Sequence, residues 1–296
     1  MEKQIKFIIN IFFFMALVSC SQVKVDKPQA LINSKSTFGQ ENVERTKNFP
    51  KLIKQLRKLP KKENVWVFIL AGQSNMAGRG FVEPQDTIAN NRVLSIDING
   101  NLIIAKEPLH FYDPVNTGLD CGLSFGKKIV QNLPDSISVL ILPTALGGSS
   151  IQQWLNDSFH RGKNLLSNFF EKIEIGIKVG DIKGVLWHQG ESDTREEVPG
   201  LYEERLSQLF NLFRKKINNE NLPILIGELG SYSGNNEGWQ FINSSIKSYS
   251  LNDKNSRVVY TQDLKDKGDK VHFNSESQRI MGERFANAFL KMRNGR

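Results

Sequence analysis

The sequence predicts an α/β fold, a three-layer α/β/α sandwich around a central parallel sheet of five strands. Short continuous apolar runs alternate along the chain with amphipathic stretches, and no internal repeat interrupts this order. A strand that is apolar at every position is typical of a parallel sheet covered by helices on both faces. Because ligands of such sheets bind at the carboxyl ends of the strands, functional residues are expected there.

The predicted elements follow in chain order. Five short runs are predicted to be buried strands, namely Val65–Ala71, Ile137–Leu142, Gly184–Trp187, Ile224–Gly227 and Val258–Thr261. Two stretches carry apolar residues at helical spacing, at Leu165, Leu166, Phe169, Phe170, Ile173 and Ile177, and at Leu206, Leu209, Phe210, Phe213 and Ile217. A further helix is expected over Leu123–Leu133. A last helix turns Ile280, Met281, Phe285 and Phe289 inward, and Ser275 with Gln278 resembles a capping box at its start.

The N-terminus is typical of an exported protein. Lys3 and Lys6 precede the twelve-residue apolar run Phe7–Val18, which is too short to span a bilayer. The run ends in Leu-Val-Ser-Cys, which resembles a bacterial lipobox with Cys20 as the lipidated mature N-terminus. The alternative is an ordinary signal peptide with an incidental cysteine. The first interpretation predicts a protein that is lipid-anchored to the bacterial envelope, on its periplasmic side or at the cell surface.

Three segments follow from this interpretation: a lipoprotein signal peptide over residues 1–19, the lipidated cysteine and a polar tether over 20–60, and one globular domain over 61–296. Because Cys20 is committed to a lipid, Cys121 has no partner, and an internal disulfide is not expected. The formal charge is +8; removal of residues 1–19 leaves 37 basic and 30 acidic residues, a charge of +7.

Much of the positive charge lies near the tether. It lies at Lys51, Lys54, Arg57, Lys58, Lys61 and Lys62, with no aromatic residue between them. This pattern predicts a solvated helix face rather than a nucleic-acid site, so no nucleic-acid partner is expected. The membrane is expected to be contacted through the N-terminal lipid only.

The first predicted strand runs directly into Gly72-Gln73-Ser74-Asn75-Met76, which places Ser74 at a strand's carboxyl end among small residues that allow a tight turn. A serine at such a junction is most often a helix cap, so a nucleophile requires a base nearby. Asp269 lies three residues before His272, on a polar loop ahead of the last helix. An aspartate that orients a histidine beside a serine is the arrangement of acyl-transfer catalysis.

These residues, with the central block Trp187-His188-Gln189-Gly190-Glu191-Ser192-Asp193, resemble those of the SGNH hydrolases, in the branch of sialate O-acetylesterases and acetylxylan esterases. The resemblance covers about Val65 to Leu290 and implies a flavodoxin-like sheet. It also implies that Ser74 is the nucleophile, His272 its base and Asp269 the acid partner. Some members of this branch use the glutamate of the central block as the acid, so Glu191 is the alternative.

The resemblance also implies an oxyanion hole. General SGNH enzymes carry an asparagine in the third block, where this chain carries Gln189, and its side-chain amide is the implied donor together with the backbone amides of Ser74 and Gly122. Gly122 is equally interpreted as the start of a helix, and Gly147 or Gly148 could substitute for it.

Substrate contacts are expected from the residues around these blocks, namely Gln73, Asn75, Gly147, Gly148, Ser149 and His188. In this family the Gly-Gly-Ser segment borders the substrate pocket, although a simple strand-to-helix turn would have the same composition. Trp154 is either a sugar platform or core. His110, His160 and Cys121 are expected to be structural or to lie at the surface.

Other chemistries have little support. The four histidines are scattered and no Cys-x-x-Cys or His-Glu-x-x-His pattern occurs, so no metal is expected. Neither a P-loop, nor a dinucleotide fingerprint, nor a Gly-x-Ser-x-Gly elbow is present, and no cofactor is expected. The sequence therefore predicts a serine esterase that removes O-acetyl groups from an acetylated glycan or sialic acid. The alternatives are a non-catalytic glycan-binding lipoprotein, or an SGNH lipase or thioesterase, on the same fold.

Overall fold

A computed structural model describes residues 43–56, 58–111, 115–194, 201–234 and 236–295. The predicted signal peptide, Cys20 and the first part of the predicted tether lie outside these described residues, so the predictions for them stay predictions. The described residues belong to the compact unit Glu41–Arg296, which begins upstream of residue 61, the predicted start of the domain. Among the described residues, no helix has both the length and the apolarity needed to cross a bilayer.

The strands are β1 (Val65–Gly72), β2 (Val93–Ile96), β3 (Leu102–Ile104), β4 (Ser138–Pro143), β5 (Phe159–His160), β6 (Lys163–Asn164), β7 (Asp181–His188), β8 (Ile224–Gly227) and β9 (Ser256–Val259). Seven of them form the central sheet in the order β3-β2-β4-β1-β7-β8-β9. All neighbours in it are parallel except the pair β2 and β3. β5 and β6 form a separate antiparallel hairpin.

The predicted α/β sandwich with a parallel sheet is confirmed, whereas the predicted count of five strands is wrong. The two additional strands are β2 and β3, which have four and three residues. They are too short for a periodic signal, and Ser95 interrupts the first; its buried hydroxyl donates to the carbonyl of Ile141 at 3.0 Å. β9 begins two residues before the predicted strand, because its register is set by pairing of Ser256 with Ile224 on β8.

Alternation along β1 explains why its sequence is apolar throughout. Val65, Val67, Ile69 and Ala71 face one core layer, whereas Phe68 and Leu70 face the other. All six side chains are fully buried. A strand between two layers of helices requires apolar residues on both faces, and this one has them.

The helices are α1 (Ser74–Ala77), α2 (Gly122–Gln131), α3 (Ile151–Leu155), α4 (Leu165–Val179), α5 (Leu201–Ile217), α6 (Asn236–Asn252) and α7 (Ser275–Asn294). Buried residues of α3, α4, α5 and α6 share the core layer on one face of the sheet. Buried residues of α2 and α7 share the layer on the other face. The two layers give the three-layer sandwich.

The sheet topology identifies where a ligand should bind. β4 and β7 lie on opposite sides of β1, and all three strands are parallel. The connections that leave β1 and β4 therefore diverge at the carboxyl end of β1, which makes a crevice at a topological switch point. Ser74 is two residues beyond the end of β1, at the mouth of this crevice.

The basic segment ahead of β1 differs from its prediction. Lys51 and Lys54 are exposed, as expected of a solvated face, but this part of the chain is extended rather than helical. Gln55 forms an antiparallel bridge with Ile103, and the amide of Ile104 donates to the carbonyl of Lys54 at 3.0 Å. The segment covers the outer edge of β3, and an otherwise unpaired strand edge explains its extended conformation.

A cluster of aromatic rings lies within the core layer that α3, α4, α5 and α6 form with the sheet. Phe213 of α5 stacks on Phe169 of α4 with ring centroids 3.9 Å apart, and its ring lies 6.1 Å from that of Trp187 on β7. Trp154 packs edge-on against Trp187 at 5.4 Å. Trp154 is fully buried, so it belongs to the core and cannot serve as a sugar platform.

Phe213→Ala should lower the free energy of unfolding by about 3–5 kcal/mol, because it leaves a cavity between α4, α5 and the sheet. Phe159→Ala is the matched control, since that ring is 72% exposed and its loss should change the free energy by less than about 0.5 kcal/mol. Urea unfolding of both variants measures the difference. Equal effects would contradict the assignment of this cluster as core.

Candidate active site

The turn after β1 brings the nucleophile candidate to the strand end. The amide of Gln73 donates to the carbonyl of His188 on β7 at 3.0 Å. Gly72 has φ +136°, and a Cβ atom there would lie 2.0 Å from that same carbonyl oxygen. Only glycine permits this approach of β1 to β7. Ser74 then begins α1, and it is 6% exposed.

Ser74, His272 and Asp269 form a continuous line of hydrogen bonds. The Nε2 atom of His272 lies 3.0 Å from the Oγ atom of Ser74, and its Nδ1 atom lies 2.8 Å from the Oδ2 atom of Asp269. The carboxylate can only accept, so Nδ1 carries a proton and Nε2 is free to accept from the serine hydroxyl. This is the arrangement of a nucleophile, its base and an orienting acid.

The environment of Asp269 keeps its carboxylate ionised. Partial burial favours the neutral acid, but hydrogen bonds from the ring of His272 and from the amides of His272 and Val271 outweigh burial and lower the pKa of Asp269 well below its ordinary value. The two amides donate to Oδ1 at 2.8 and 3.0 Å, which leaves Oδ2 for the ring. The loop thus presents a fixed anion to Nδ1.

The loop of His272 is anchored at the start of α7, although not by the predicted capping box. Asn274 is the N-cap, and its side chain accepts from the amide of Ser277 at 2.8 Å. The Ser275 hydroxyl donates instead to the carbonyl of Phe81, and Gln278 Nε2 donates to the carbonyl of Asn75 at 2.9 Å. Ser275 and Gln278 therefore join α7 to the nucleophile segment.

Glu191, the alternative acid partner, lies in a different environment. Its Oε1 atom accepts from Asn75 Nδ2 at 2.6 Å and lies 3.8 Å from Nδ1 of His188. Its side chain is 6% exposed. Of the two predicted acids, the geometry supports Asp269 as the partner of His272.

The side-chain amide of Gln189, an implied oxyanion donor, forms hydrogen bonds with other residues of the protein. Its Nε2 atom donates to Gln73 Oε1 at 3.0 Å, to the carbonyl of Ser149 at 3.1 Å and to a carboxylate oxygen of Asp193. Its Oε1 atom accepts from the hydroxyl of Tyr202 at 3.1 Å. An amide group has two protons, so none is left for a substrate, and the oxyanion role implied for the Gln189 side chain is not supported.

The oxyanion role implied for the backbone amide of Gly122 is not supported either. Its amide donates to Oδ1 of Asp120 at 2.6 Å, and a Cβ atom here would meet Leu109 and Leu70 at 2.7 Å. The residue is a buried helix start, which was the other interpretation of its sequence. The same Asp120 also contacts the buried His110, whose Nδ1 atom lies 2.8 Å from its Oδ2 atom.

Several predicted substrate contacts are buried instead. Asn75, Ser149 and His188 are fully buried, and Gln73 is 3% exposed. The Oε1 atom of Gln73 accepts from the amides of Gly190 and Ser192 at 3.4 and 3.2 Å in addition to Gln189, so it joins the first block to the central block. These side chains form the support beneath the site rather than a surface for ligand.

The segment after β4 retains one exposed residue at the site. Gly147 is buried, and its carbonyl lies 2.9 Å from Nε2 of His160. Gly148 is exposed with φ +78°. The segment is held against β1 by the amide of Leu146, which donates to the carbonyl of Gly72 at 3.1 Å, and the hydroxyl of Ser149 donates within the segment to the carbonyl of Leu146 at 2.9 Å. The segment that carries Gly148 therefore packs against the end of β1, and its predicted contact with substrate stays a prediction.

Two supporting residues were not singled out from the sequence. The buried Asp193 accepts from the amide of Ile151 at the start of α3 and from Gln189, so it ties the central block to the segment after β4. The hydroxyl of Tyr202 donates to the carbonyl of Gln189 at 2.7 Å. Asp193 is the last residue of the central block, and its position in that block could have indicated a role at the site. Nothing in the local sequence points to Tyr202.

His188 is held neutral beneath the site. Burial lowers its pKa, although the nearby charge of Glu191 and the hydrogen bond to the carbonyl of Glu228 act in the opposite direction. Nε2 lies 2.9 Å from that carbonyl and must therefore carry the proton.

Known proteins resemble this chain along most of the domain. A family model described as carbohydrate esterase, sialic acid-specific acetylesterase, matches residues 64–291. A probable carbohydrate esterase of Arabidopsis thaliana is 31% identical over 247 residues, which make up 76% of this chain and 90% of that protein.

Solved structures agree with the fold. An X-ray structure of an Arabidopsis thaliana protein aligns with a TM-score of 0.67 at 27% identity, over 76% of this chain and 98% of that one. NanS aligns at 0.65 and 18% identity, over 81% and 100% of the two chains. A carbohydrate acetylesterase from Xanthomonas citri aligns at 0.60 and 18% identity, over 79% and 57%.

The two acid candidates can be separated by isosteric substitutions. Asp269→Asn should lower kcat about 10⁴-fold, because an amide in that place favours the wrong tautomer of His272. Glu191→Gln should lower it less than about tenfold, because the carbonyl oxygen of glutamine can still accept from Asn75. Steady-state hydrolysis of an activated acetate ester measures both. The reverse ranking would make Glu191 the acid partner.

The neutral His188 predicts a stability that falls in acid. A group whose pKa is lower in the folded state favours folding above its unfolded pKa, about 6.5, and this contribution is lost as the pH falls below that value. The free energy of unfolding should therefore fall between pH 7.5 and 5, with His188 contributing at most about 1.4 kcal/mol per pH unit. Denaturation of His188→Gln should show a shallower dependence; an identical slope would show that His188 does not titrate this way.

Proposed function

The chain belongs to the carbohydrate esterase family of sialic acid-specific acetylesterases, and from this premise we propose that it removes O-acetyl groups from carbohydrate by way of an acetyl-enzyme. Family membership makes it a hydrolase of esters and agrees with the SGNH resemblance of its sequence blocks. The finer proposal is carried by one observation, the hydrogen-bonded line from Ser74 through His272 to Asp269.

The proposed reaction follows from the direction of these hydrogen bonds. His272 Nε2 takes the hydroxyl proton of Ser74 as Oγ attacks the acetyl carbonyl carbon, and Asp269 stabilises the resulting imidazolium. Collapse of the tetrahedral intermediate breaks the bond to the sugar oxygen, which leaves with the proton from Nε2. Water then attacks the acetyl-serine with His272 again as base, and acetate and the free serine are released.

The proposed oxyanion donors are backbone amides. Ser74 is the first residue of α1, so its amide has no acceptor within that helix. Gly148 supplies the second donor in this proposal, because it is exposed and its segment is held against Gly72 by the backbone amide of Leu146. Such donors matter because negative charge develops on the carbonyl oxygen in the transition state, and loss of one costs about 10²–10³ in rate.

The proposed location is the bacterial envelope, with Cys20 carrying the lipid. Support comes from the sequence alone, from Lys3 and Lys6 ahead of the apolar run and from the lipobox-like residues that follow it. The proposed partner is an acetylated glycan or sialic acid.

Acetate release tests the proposed function. The chain from Ser21 onward should release acetate from one or more members of a panel of acetylated glycans and from 4-nitrophenyl acetate. Ser74→Ala and His272→Ala should each lower kcat/KM by at least about 1000-fold, because each removes a group that acts in the transition state.

Ser244→Ala is the matched control, since Ser244 is an exposed serine of α6 whose hydroxyl donates only within its own helix, to the carbonyl of Gln240. It should retain wild-type activity. A folded wild-type protein that releases no acetate from any panel member would contradict the esterase proposal and favour a glycan-binding role.

A further inference from the structure

The side chain of Asn75 binds the loop of the candidate base on both sides of His272. Its Oδ1 atom accepts from the amide of Phe273 at 3.0 Å, and its Nδ2 atom donates to the carbonyl of Val271 at 3.0 Å. These are the two neighbours of His272 in the chain. Asn75 is itself the neighbour of Ser74, so one carboxamide connects the nucleophile segment to the base loop, 198 residues away along the chain.

All hydrogen-bonding groups of this carboxamide are engaged. The second proton of Nδ2 is donated to Glu191 Oε1 at 2.6 Å. Because a carboxylate can only accept, Glu191 compels the nitrogen of Asn75 to face it and the oxygen to face Phe273. The amide cannot rotate by half a turn without placing its oxygen against both Glu191 and the carbonyl of Val271.

The burial of Asn75 and Glu191 means that these hydrogen bonds fix the position of the Asn75 carboxamide. Asn75 is fully buried, and the side chain of Glu191 is 6% exposed. A buried amide that lost its partners could not replace them with bulk water, so the carboxamide has one favourable position. The carbonyl of Asn75 also accepts from Gln278 of α7, the helix that begins directly after the base loop.

We propose that Asn75 is a positioning residue that sets the Ser74–His272 hydrogen bond, and that Glu191 serves the site by orienting Asn75. The inference rests on the proposed esterase function. It assigns both residues a role other than the ones their sequence suggested, which were substrate contact and acid partner. Asn75 acts through His272, so its loss should move the base relative to the hydroxyl without altering the surface that meets substrate.

The kinetic expectation is a loss in kcat alone. Asn75→Ala should lower kcat about 100-fold, the effect typical of a displacement of about 1 Å at a reacting group, and should leave KM within about threefold. In the His272→Ala background the same substitution should cause no further loss, because the group through which it acts is already absent. Asn75→Asp, which keeps the shape but cannot donate to Glu191 and Val271, should behave like Asn75→Ala and serves if the alanine variant does not fold.

Asn243 offers a matched control. Its carboxamide makes the same kind of double contact with one backbone segment, accepting from the amide of Leu229 at 2.8 Å and donating to its carbonyl at 3.0 Å. Asn243→Ala should therefore weaken a loop to a similar degree while leaving kcat within about threefold. This separates a general loss of packing from a specific effect on the base.

Hydrogen exchange of the full-length protein gives a readout that does not depend on activity. The amide of Phe273 should exchange at least about tenfold faster in Asn75→Ala than in wild type, and at the wild-type rate in Asn243→Ala. Unchanged exchange at Phe273 would overturn the inference. So would a rise in KM with kcat unchanged, or a further loss in the His272→Ala background, since either would show that Asn75 acts independently of the base. If wild type releases no acetate, the esterase proposal fails, and exchange at Phe273 still decides whether Asn75 holds the loop.

Discussion

The close approach of β1 to β7 at their carboxyl ends is the constraint on which the site depends. The carbonyl of His188 reaches the backbone at Gly72 and Gln73 because position 72 has no side chain. This contact places the nucleophile turn beside the central block, and it does so with backbone atoms, whose position the sheet already determines. A side chain at position 72 would separate the two strands where the chemistry is proposed.

A buried polar network extends this constraint to the other loops. Gln73, Gln189 and Asp193 join the turns that follow β1, β4 and β7, and Asn75 with Gln278 joins them to the base loop and α7. Each donor in this network has an acceptor, which such a buried arrangement requires if it is to be stable. The residues of these sequence blocks therefore contact mostly one another, and few of them remain to contact a ligand.

The separation between residues at the site and buried residues that hold their loops explains how a small site can be well ordered. His272, Asp269 and Gly148 reach the surface, Ser74 is nearly buried beside them, and the side chains beneath hold their loops in place. The carboxylate of Asp269 is stabilised by two backbone amides of its own loop, so the orienting anion and the base move as one unit. The remaining degree of freedom is the position of that loop relative to Ser74.

The sequence by itself determined the sandwich and the parallel sheet, and it named Ser74 and His272 while leaving the acid open between Asp269 and Glu191. The sheet and helices could be predicted because strand and helix periodicity are local. The catalytic residues were implied by the resemblance of the short sequence blocks to those of the SGNH hydrolases. Only the tertiary structure decided which polar groups are free. The amide of Gly122 is taken by Asp120, and the amide of Gln189 by Gln73, Ser149 and Asp193. The last three residues lie on separate loops, and whether a donor is available depends on partners that meet only when strands distant in sequence become neighbours in the sheet.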